Sequence, residues 1–286
     1  MWTVRVRAPA GSLRSLAAGR LSVTMECKHL RIAQRDGVRT LTLDRPDVLN
    51  SINARLADEL TEALRHSAED EDVRAILLTG SGRAFCAGQD LSEVLPRDGV
   101  QPDLGEIVAR QYNPIVRAIR TAEKPVVCAV NGVAAGAGAN IALACDIVLA
   151  SQEATFIQSF ARIGLIPDSG GTFMLPRLVG MQRATALAML GEKLTADVAK
   201  QWGLVYDVVP PTVLPDRSFD LARRLATMPT RALGLIKRGF NASASSSLDE
   251  QLALEEALQR EAGRTADYAE GVSAFMEKRT PSYHGR

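Results

Sequence analysis

Histidine is scarce in this 286-residue chain. The three that occur, His29, His66 and His284, lie outside any glycine-rich or turn-rich motif. That argues against a Ser-His-Asp triad and against a histidine metal site, so no metal is expected. Cysteine is also sparse. Cys27, Cys86, Cys128 and Cys145 show no paired metal-ligand spacing, and the last three sit in apolar runs. They read as reduced core thiols of a reducing compartment, which makes the expected location cytoplasmic. An excess of one charge is missing: the net charge is +1. Neither nucleic acid nor an anionic membrane surface is therefore expected as a partner, whereas a small polyanion needs only a local basic cluster. No apolar run reaches about 18 residues without a charge or turn residue, which removes a membrane-spanning helix.

What is present is globular. With 46% hydrophobic and 23% charged residues, the chain can bury a sizeable core in one or two domains. Residues 1–24 differ from the rest. They hold Arg5, Arg7, Arg14 and Arg20, several serines and no acidic residue. Without the apolar stretch of a secretory signal, they read as a disordered extension from an upstream start, with Met25 as the working start. A transit-type presequence is the alternative.

Thr40 to Leu43 predicts a strand ended by Asp44-Arg45-Pro46. Asn53 predicts a helix N-cap, followed by Leu56, Leu60 and Leu64 on one face. Val73 to Thr79 predicts a buried strand, residues 92–105 a mobile loop, and Pro125 to Val130 a further strand. A small-residue helix over 136–144 and a strand from Asp146 to Ala150 follow. This alternation is that of an α/β fold. Beyond about residue 180, helical runs are expected near 182–190, 216–227, 229–241 and 248–262.

Two strand-to-helix turns carry candidate chemistry: Phe85-Cys86-Ala87-Gly88-Gln89-Asp90-Leu91 and Asn131-Gly132-Val133-Ala134-Ala135-Gly136-Ala137-Gly138-Ala139-Asn140. Glycine lets a backbone approach a ligand closely, and the first N–H groups of a helix lack internal partners. Facing one another, two such turns can aim two N–H groups at one oxygen, which is what a thioester oxyanion requires. Alone, each is a tight connection, and neither spells the G-x-G-x-x-G of a dinucleotide site.

In this order the two turns resemble the crotonase (enoyl-CoA hydratase/isomerase) family. The resemblance runs from about Glu26 to the C-terminus. It includes Leu43-Asp44-Arg45-Pro46 with Leu49-Asn50, Lys124-Pro125, Gly164-Leu165-Ile166-Pro167-Asp168-Ser169-Gly170-Gly171, and Glu270-Gly271-Val272-Ser273-Ala274-Phe275. It implies a spiral of ββα units over residues 25–210 and a helical oligomerisation region over 211–286. It also implies a homotrimer or dimer of trimers, and an acyl-CoA thioester substrate. No cofactor is implied, since coenzyme A is part of the substrate. By position, the family's oxyanion donors fall on the backbone N–H of Gln89 and of Ala137. Its coenzyme A contacts fall near Val48, Leu49, Ala87, Asp90 and Leu91. Phe275 and Lys278 would lie against the adenine end, from a neighbouring subunit. A helix-packing role for Phe275 and a solvated charge for Lys278 stay open.

The family's hydratases use two glutamates to activate water. The matching positions here are Asn140 and Phe160, and neither an amide nor a phenyl ring is a useful base. Asp168 is the carboxylate left in the motif. Phe160, Phe173 and Leu175, close in sequence, predict apolar surroundings and a raised pKa. The alternative is that Asp168 caps a helix starting near Gly170. One carboxylate facing a thioester enolate suits a 1,3 proton shuttle. Within the family, Gly132 to Asp146, Ile166-Pro167-Asp168, Gln111-Tyr112-Asn113-Pro114 and Gly263 to Tyr268 look most like one subgroup. That subgroup isomerises ring-1,2-epoxyphenylacetyl-CoA in aerobic phenylacetate degradation, expanding the epoxide to an oxepin, and also moves double bonds in enoyl-CoA substrates. The alternatives are a general enoyl-CoA isomerase or hydratase on aliphatic chains, an Asp168 nucleophile as in crotonase-fold dehalogenases, and a non-catalytic thioester-binding scaffold.

Overall fold

The computed structural model describes residues 27–96 and 98–285. The extension expected over residues 1–24 lies outside them. The chain begins with a hairpin of β1 (Leu30–Arg35) and β2 (Val38–Leu43), antiparallel in register Leu30 to Leu43. Helix α1 (Ala54–Glu69) follows. Its Asn53 cap accepts from the Leu56 N–H at 2.9 Å, and Leu56, Leu60 and Leu64 are buried on one face.

From there each repeat sends one strand into each of two sheets and closes with a helix. Strands β3 (Ala75–Gly80) and β4 (Ala84–Cys86) lead to α2 (Leu104–Ile107) and α3 (Asn113–Thr121), joined by a π-helical turn over Val108–Tyr112. Strands β5 (Val126–Val130) and β6 (Val133–Ala135) lead to α4 (Ala137–Ala144). Strands β7 (Ile147–Ser151) and β8 (Thr155–Ile157) lead to α5 (Gly171–Val179) and α6 (Met181–Leu190). Next come β9 (Lys193–Thr195), α7 (Ala196–Gln201) and β10 (Asp207–Val209).

The larger sheet has the order β1-β2-β3-β5-β7-β10, parallel from β2 onward, and the smaller has β4-β6-β8-β9. This is the expected ββα spiral. Strand β5 is buried throughout, as a parallel strand covered on both faces must be. One face of the larger sheet packs on α1, α3 and α4. The other packs Val38, Leu77, Val127 and Leu149 on α8 (Leu214–Ala226). Helix α8, inside the segment expected to oligomerise, thus covers the sheet of its own chain. The remaining helices are α9 (Thr230–Ser243), α10 (Leu248–Ala262) and α11 (Ala266–Glu277). Among the described residues no helix is long and apolar enough to cross a membrane. Cys86, Cys128 and Cys145 are buried free thiols, as read from the sequence.

Candidate active site

The first turn leaves β4 at Cys86 and is cradled by the loop after β2. Asn50 is fully buried in a left-handed conformation (φ 56°). Its amide donates to the carbonyls of Ser81 and Ala84, each at 2.8 Å, and its Oδ1 accepts from the Arg45 N–H at 2.8 Å. The Ala87 N–H donates to the Leu49 carbonyl at 2.9 Å, and Ile52 and Asp90 complete a short bridge across Gln89. Arg45 reaches the Ser51 carbonyl at 2.6 Å and Asp90 Oδ2 at 2.9 Å. The Leu43-Asp44-Arg45-Pro46 and Leu49-Asn50 blocks are therefore the scaffold of this turn.

Val48, Leu49, Ala87, Asp90 and Leu91 converge on its rim, with Val48 and Leu91 exposed. Asp90 also has a structural task. Its carboxylate is taken up by Arg45 and by the N–H and hydroxyl of Ser92, and it caps a short 3-10 turn over Leu91–Glu93. Burial alone would raise this carboxyl, but the Ser92 and Arg45 contacts hold it below the usual range.

The second turn follows β6, which pairs in parallel with β4, Ala84 to Val133 and Cys86 to Ala134. Parallel neighbours bring both turns to the same end of the smaller sheet. The contact between them tolerates no side chain at Gly88 (φ 93°). A β-carbon there would meet the Ala135 carbonyl oxygen at 2.8 Å and the Ala137 nitrogen at 3.5 Å. At Gly138 a β-carbon would overlap the Cys86 carbonyl oxygen. Three nearby N–H groups are spent: Asp90 on Ile52, Gly136 on Ile157 and Asn140 on Gly136. Among the described residues, those of Gln89 and Ala137 have no acceptor. Ala137 is the first residue of α4, where the helix leaves its N–H groups free.

Asp168 sits in the turn before α5. The Gly171 N–H closes that turn on the Asp168 carbonyl at 2.8 Å, with positive φ at Ser169 (51°) and Gly170 (79°). The capping alternative fails, because Gly170 is the N-cap of α5 and no side chain caps it. The Asp168 carboxylate accepts instead from the Ser169 hydroxyl at 2.8 Å. Burial raises its pKa, and that hydroxyl offsets only part of the rise. Phe173 does not supply the apolar wall. It is 44% exposed beneath the Arg177 guanidinium. Phe160 is buried, with its ring 3.8 Å from where a Gly136 β-carbon would lie.

Asn140 has a task the sequence did not reveal. Fully buried, it donates from Nδ2 to the Asp168 carbonyl at 2.9 Å and accepts from Gln158 Nε2 at 2.8 Å. It pins the Asp168 turn to the helix that begins at Ala137.

A cavity of about 470 Å³ opens beside Gln89, lined by Glu93, Val94, Val100, Ile107 and Gln111 among others. No sequence motif marks Glu93, Ile107 or Gln111 as site residues, since the Leu91–Glu93 turn, α2 and the π-turn meet at the cavity only through tertiary packing. Phe275 and Lys278 stand apart on α11. Phe275 is 82% exposed, so it does not pack within this chain, and Lys278 ends the helix with φ 55°. Within the single described chain they do not join the rim.

Residues 33–286 match the family model described as enoyl-CoA hydratase/isomerase. The chain belongs to the enoyl-CoA hydratase/isomerase (crotonase) family. Like its relatives, this crotonase-family chain is an enzyme acting on acyl-CoA thioesters, which removes the scaffold alternative. It is 52% identical over 251 residues to 1,2-epoxyphenylacetyl-CoA isomerase of Escherichia coli (strain K12), covering 87% of this chain and 96% of that one. It is 35% identical to 2,3-dehydroadipyl-CoA hydratase of the same organism, over 90% and 99% of the two chains. Among solved structures, an enoyl-CoA hydratase from Mycobacterium smegmatis superposes with a TM-score of 0.83 at 33% identity, covering 90% of this crotonase-family chain and 99% of the other.

Proposed function

We propose that this enzyme isomerises an acyl-CoA thioester by holding its enolate oxygen on the N–H groups of Gln89 and Ala137 and moving a proton with Asp168. The substrate in this reading is 2-(1,2-epoxy-1,2-dihydrophenyl)acetyl-CoA, and the product is the oxepin thioester. The observation that carries it is geometric: the turns bearing the Gln89 and Ala137 N–H groups touch at Gly88, and Asn140, on the helix that Ala137 begins, holds the Asp168 turn. Asn140 and Phe160 stand where a water-activating pair would be needed, and Asn140 is committed to the Asp168 turn. The likeness to the E. coli isomerase supports the choice of substrate.

The thioester carbonyl would polarise against the two N–H groups, which strengthen their hold as negative charge develops. Asp168 would take a proton from the carbon next to the carbonyl and return it further along the acyl group. No coenzyme other than the one esterified to the substrate enters the scheme. The rim at Val48, Leu49, Ala87 and Leu91 would hold its pantetheine arm. Phe275 and Lys278 would meet the adenine end of a neighbouring copy's ligand. The exposed apolar side chains of Phe240, Leu248, Leu252, Phe275 and Met276 support assembly as a homotrimer or dimer of trimers.

Turnover of the ring-epoxide thioester, followed by the product's absorption spectrum, tests the reading. Hydration of crotonyl-CoA should be lower than a two-glutamate hydratase achieves by about 10²–10⁴ for each missing acid–base group. A hydratase-like rate in the purified protein would overturn it.

A further inference from the structure

Tyr112 carries a polar group that the mechanism above does not use. Its side chain is completely buried, and its hydroxyl has no hydrogen-bond partner among the described residues. Native structures keep few such groups, because an unpaired buried hydroxyl has lost its water and gained nothing. Tyr112 ends the π-helical turn over Val108–Tyr112, a distortion that recurs at functional sites.

Its neighbours locate it. One residue earlier, Gln111 lines the cavity beside Gln89. Four residues later, on the same helical face, Val116 Cγ1 lies 3.6 Å from where a Gly170 β-carbon would sit. The face that carries Tyr112 therefore packs on the turn that carries Asp168. Burial, then the nearby Cys86 and Asp168, push the phenol's pKa upward, so it remains a neutral donor at working pH. Cys86 ends β4 at the entry to the Gln89 turn. Tyr112 thus lies between Cys86, which opens the Gln89 turn, and the turn that carries Asp168.

We infer that Tyr112 donates its hydroxyl hydrogen to an oxygen on the acyl group, and so selects thioesters that carry oxygen close to the reacting carbons. The inference rests on the isomerase reading above for the direction in which the acyl group runs. A plain enoyl chain offers no acceptor there and leaves the hydroxyl unpaired. An oxygenated chain completes it, and a hydrogen bond missing from a buried site discriminates strongly against the wrong ligand.

The test uses the full chain and Tyr112→Phe, which removes the oxygen and keeps the ring. Phenylacetyl-CoA and (2-hydroxyphenyl)acetyl-CoA are titrated into both proteins. Turnover of the ring-epoxide thioester and of a cis-3-enoyl-CoA is measured alongside. The wild type should bind the hydroxylated ligand about 10-fold or more tighter, and the variant should lose that preference. Epoxide turnover should fall about 10-fold or more while cis-3-enoyl isomerisation stays within about twofold. The variant should melt no lower than the wild type, since no hydrogen bond of the free protein is removed.

Absence of the preference in the wild type, which needs no variant to read, overturns the inference. So does a preference that survives in Tyr112→Phe. An equal loss on both substrates would place the hydroxyl at the thioester or at Asp168 and also overturn it. Failure of the wild type to turn over the ring epoxide would sink the proposed function, while the two binding ligands still decide the part played by Tyr112.

Discussion

At the scale of single residues the weight falls on Asp168. Asparagine there keeps the size and the backbone turn, and leaves the Asn140 contact to the Asp168 carbonyl intact. It removes only the base. Asp168→Asn should fold and bind acyl-CoA yet lose roughly 10²-fold or more in isomerisation, with solvent deuterium exchange beside the thioester falling in parallel. Wild-type exchange in that variant would move the acid–base group elsewhere. Stability should change in the opposite direction. Burial raises the native pKa above the ordinary 3.8, so the folded state holds this proton more tightly than the unfolded chain. Stability from this group is present at low pH and is lost as pH rises through the raised native value. Asp168→Asn should therefore melt higher than the wild type at pH 7, with the gap closing near pH 4 and below; thermal melts across pH check it. The Asp168 motif stands out in the sequence because it is local and specific. The contacts of the Asn140 amide and the burial of the Tyr112 hydroxyl do not, because both arise only when the chain folds.

Among the elements, the pairing of β4 with β6 decides the site. It sets two turns side by side that are about 50 residues apart in the sequence. Ala137 gives a clean probe, because the first helical residue of α4 tolerates proline. Ala137→Pro should keep the fold, shown by an unchanged circular dichroism spectrum. It should nevertheless lose about 10²–10³ in turnover, since one donor has gone. Normal turnover by the folded variant would remove the Ala137 N–H from the mechanism. The sequence pattern made α1, β3, β5, α4 and β7 readable, since their apolar periodicity or run length is complete within the element. It did not reveal β1, whose only buried residue is Leu30, nor the three-residue β6, β8 and β9. Strands that short have no period of their own, and pairing partners define them. The segment over 92–105, expected to be a loop, does carry its 3-10 turn at the start and α2 from Leu104 at its end.

For the molecule as a whole, the question is how the C-terminal helices are fixed to the spiral that holds the site. Helix α8 is fixed by apolar burial on the larger sheet. Beyond it, Lys237 pairs with Asp146 at 2.7 Å and Asn241 donates to the Arg120 carbonyl at 2.8 Å along α9, and Arg74, just before β3, ties the start of α9 and the tail. Its guanidinium donates to the Thr230 hydroxyl at 2.9 Å, the Met228 carbonyl at 2.6 Å and the Tyr283 carbonyl at 2.7 Å. One side chain thereby joins the sheet, the start of α9 and the C-terminal tail. The tail is held a second time by Asp267, 2% exposed, which accepts from the His284 and Gly285 N–H groups at 2.7 Å each. The fork geometry of the guanidinium matters, because an ammonium is a point donor and cannot address three acceptors on different elements equally well. Arg74→Ala should cost roughly 2–3 kcal/mol, the scale of losing charge-assisted hydrogen bonds and leaving carbonyls unpaired. For a chain of this size that is a fall in Tm of roughly 5–10 °C. Arg74→Lys should fall between the two. If the tie is what fixes the tail, carboxypeptidase should trim Arg74→Ala past Tyr283 under conditions that leave the wild type intact, while kcat on a saturating substrate changes little. A variant that melts as the wild type does, with an equally resistant tail, would show that Asp267, with Glu270 on the Ser282 N–H at 2.8 Å, carries the attachment without Arg74.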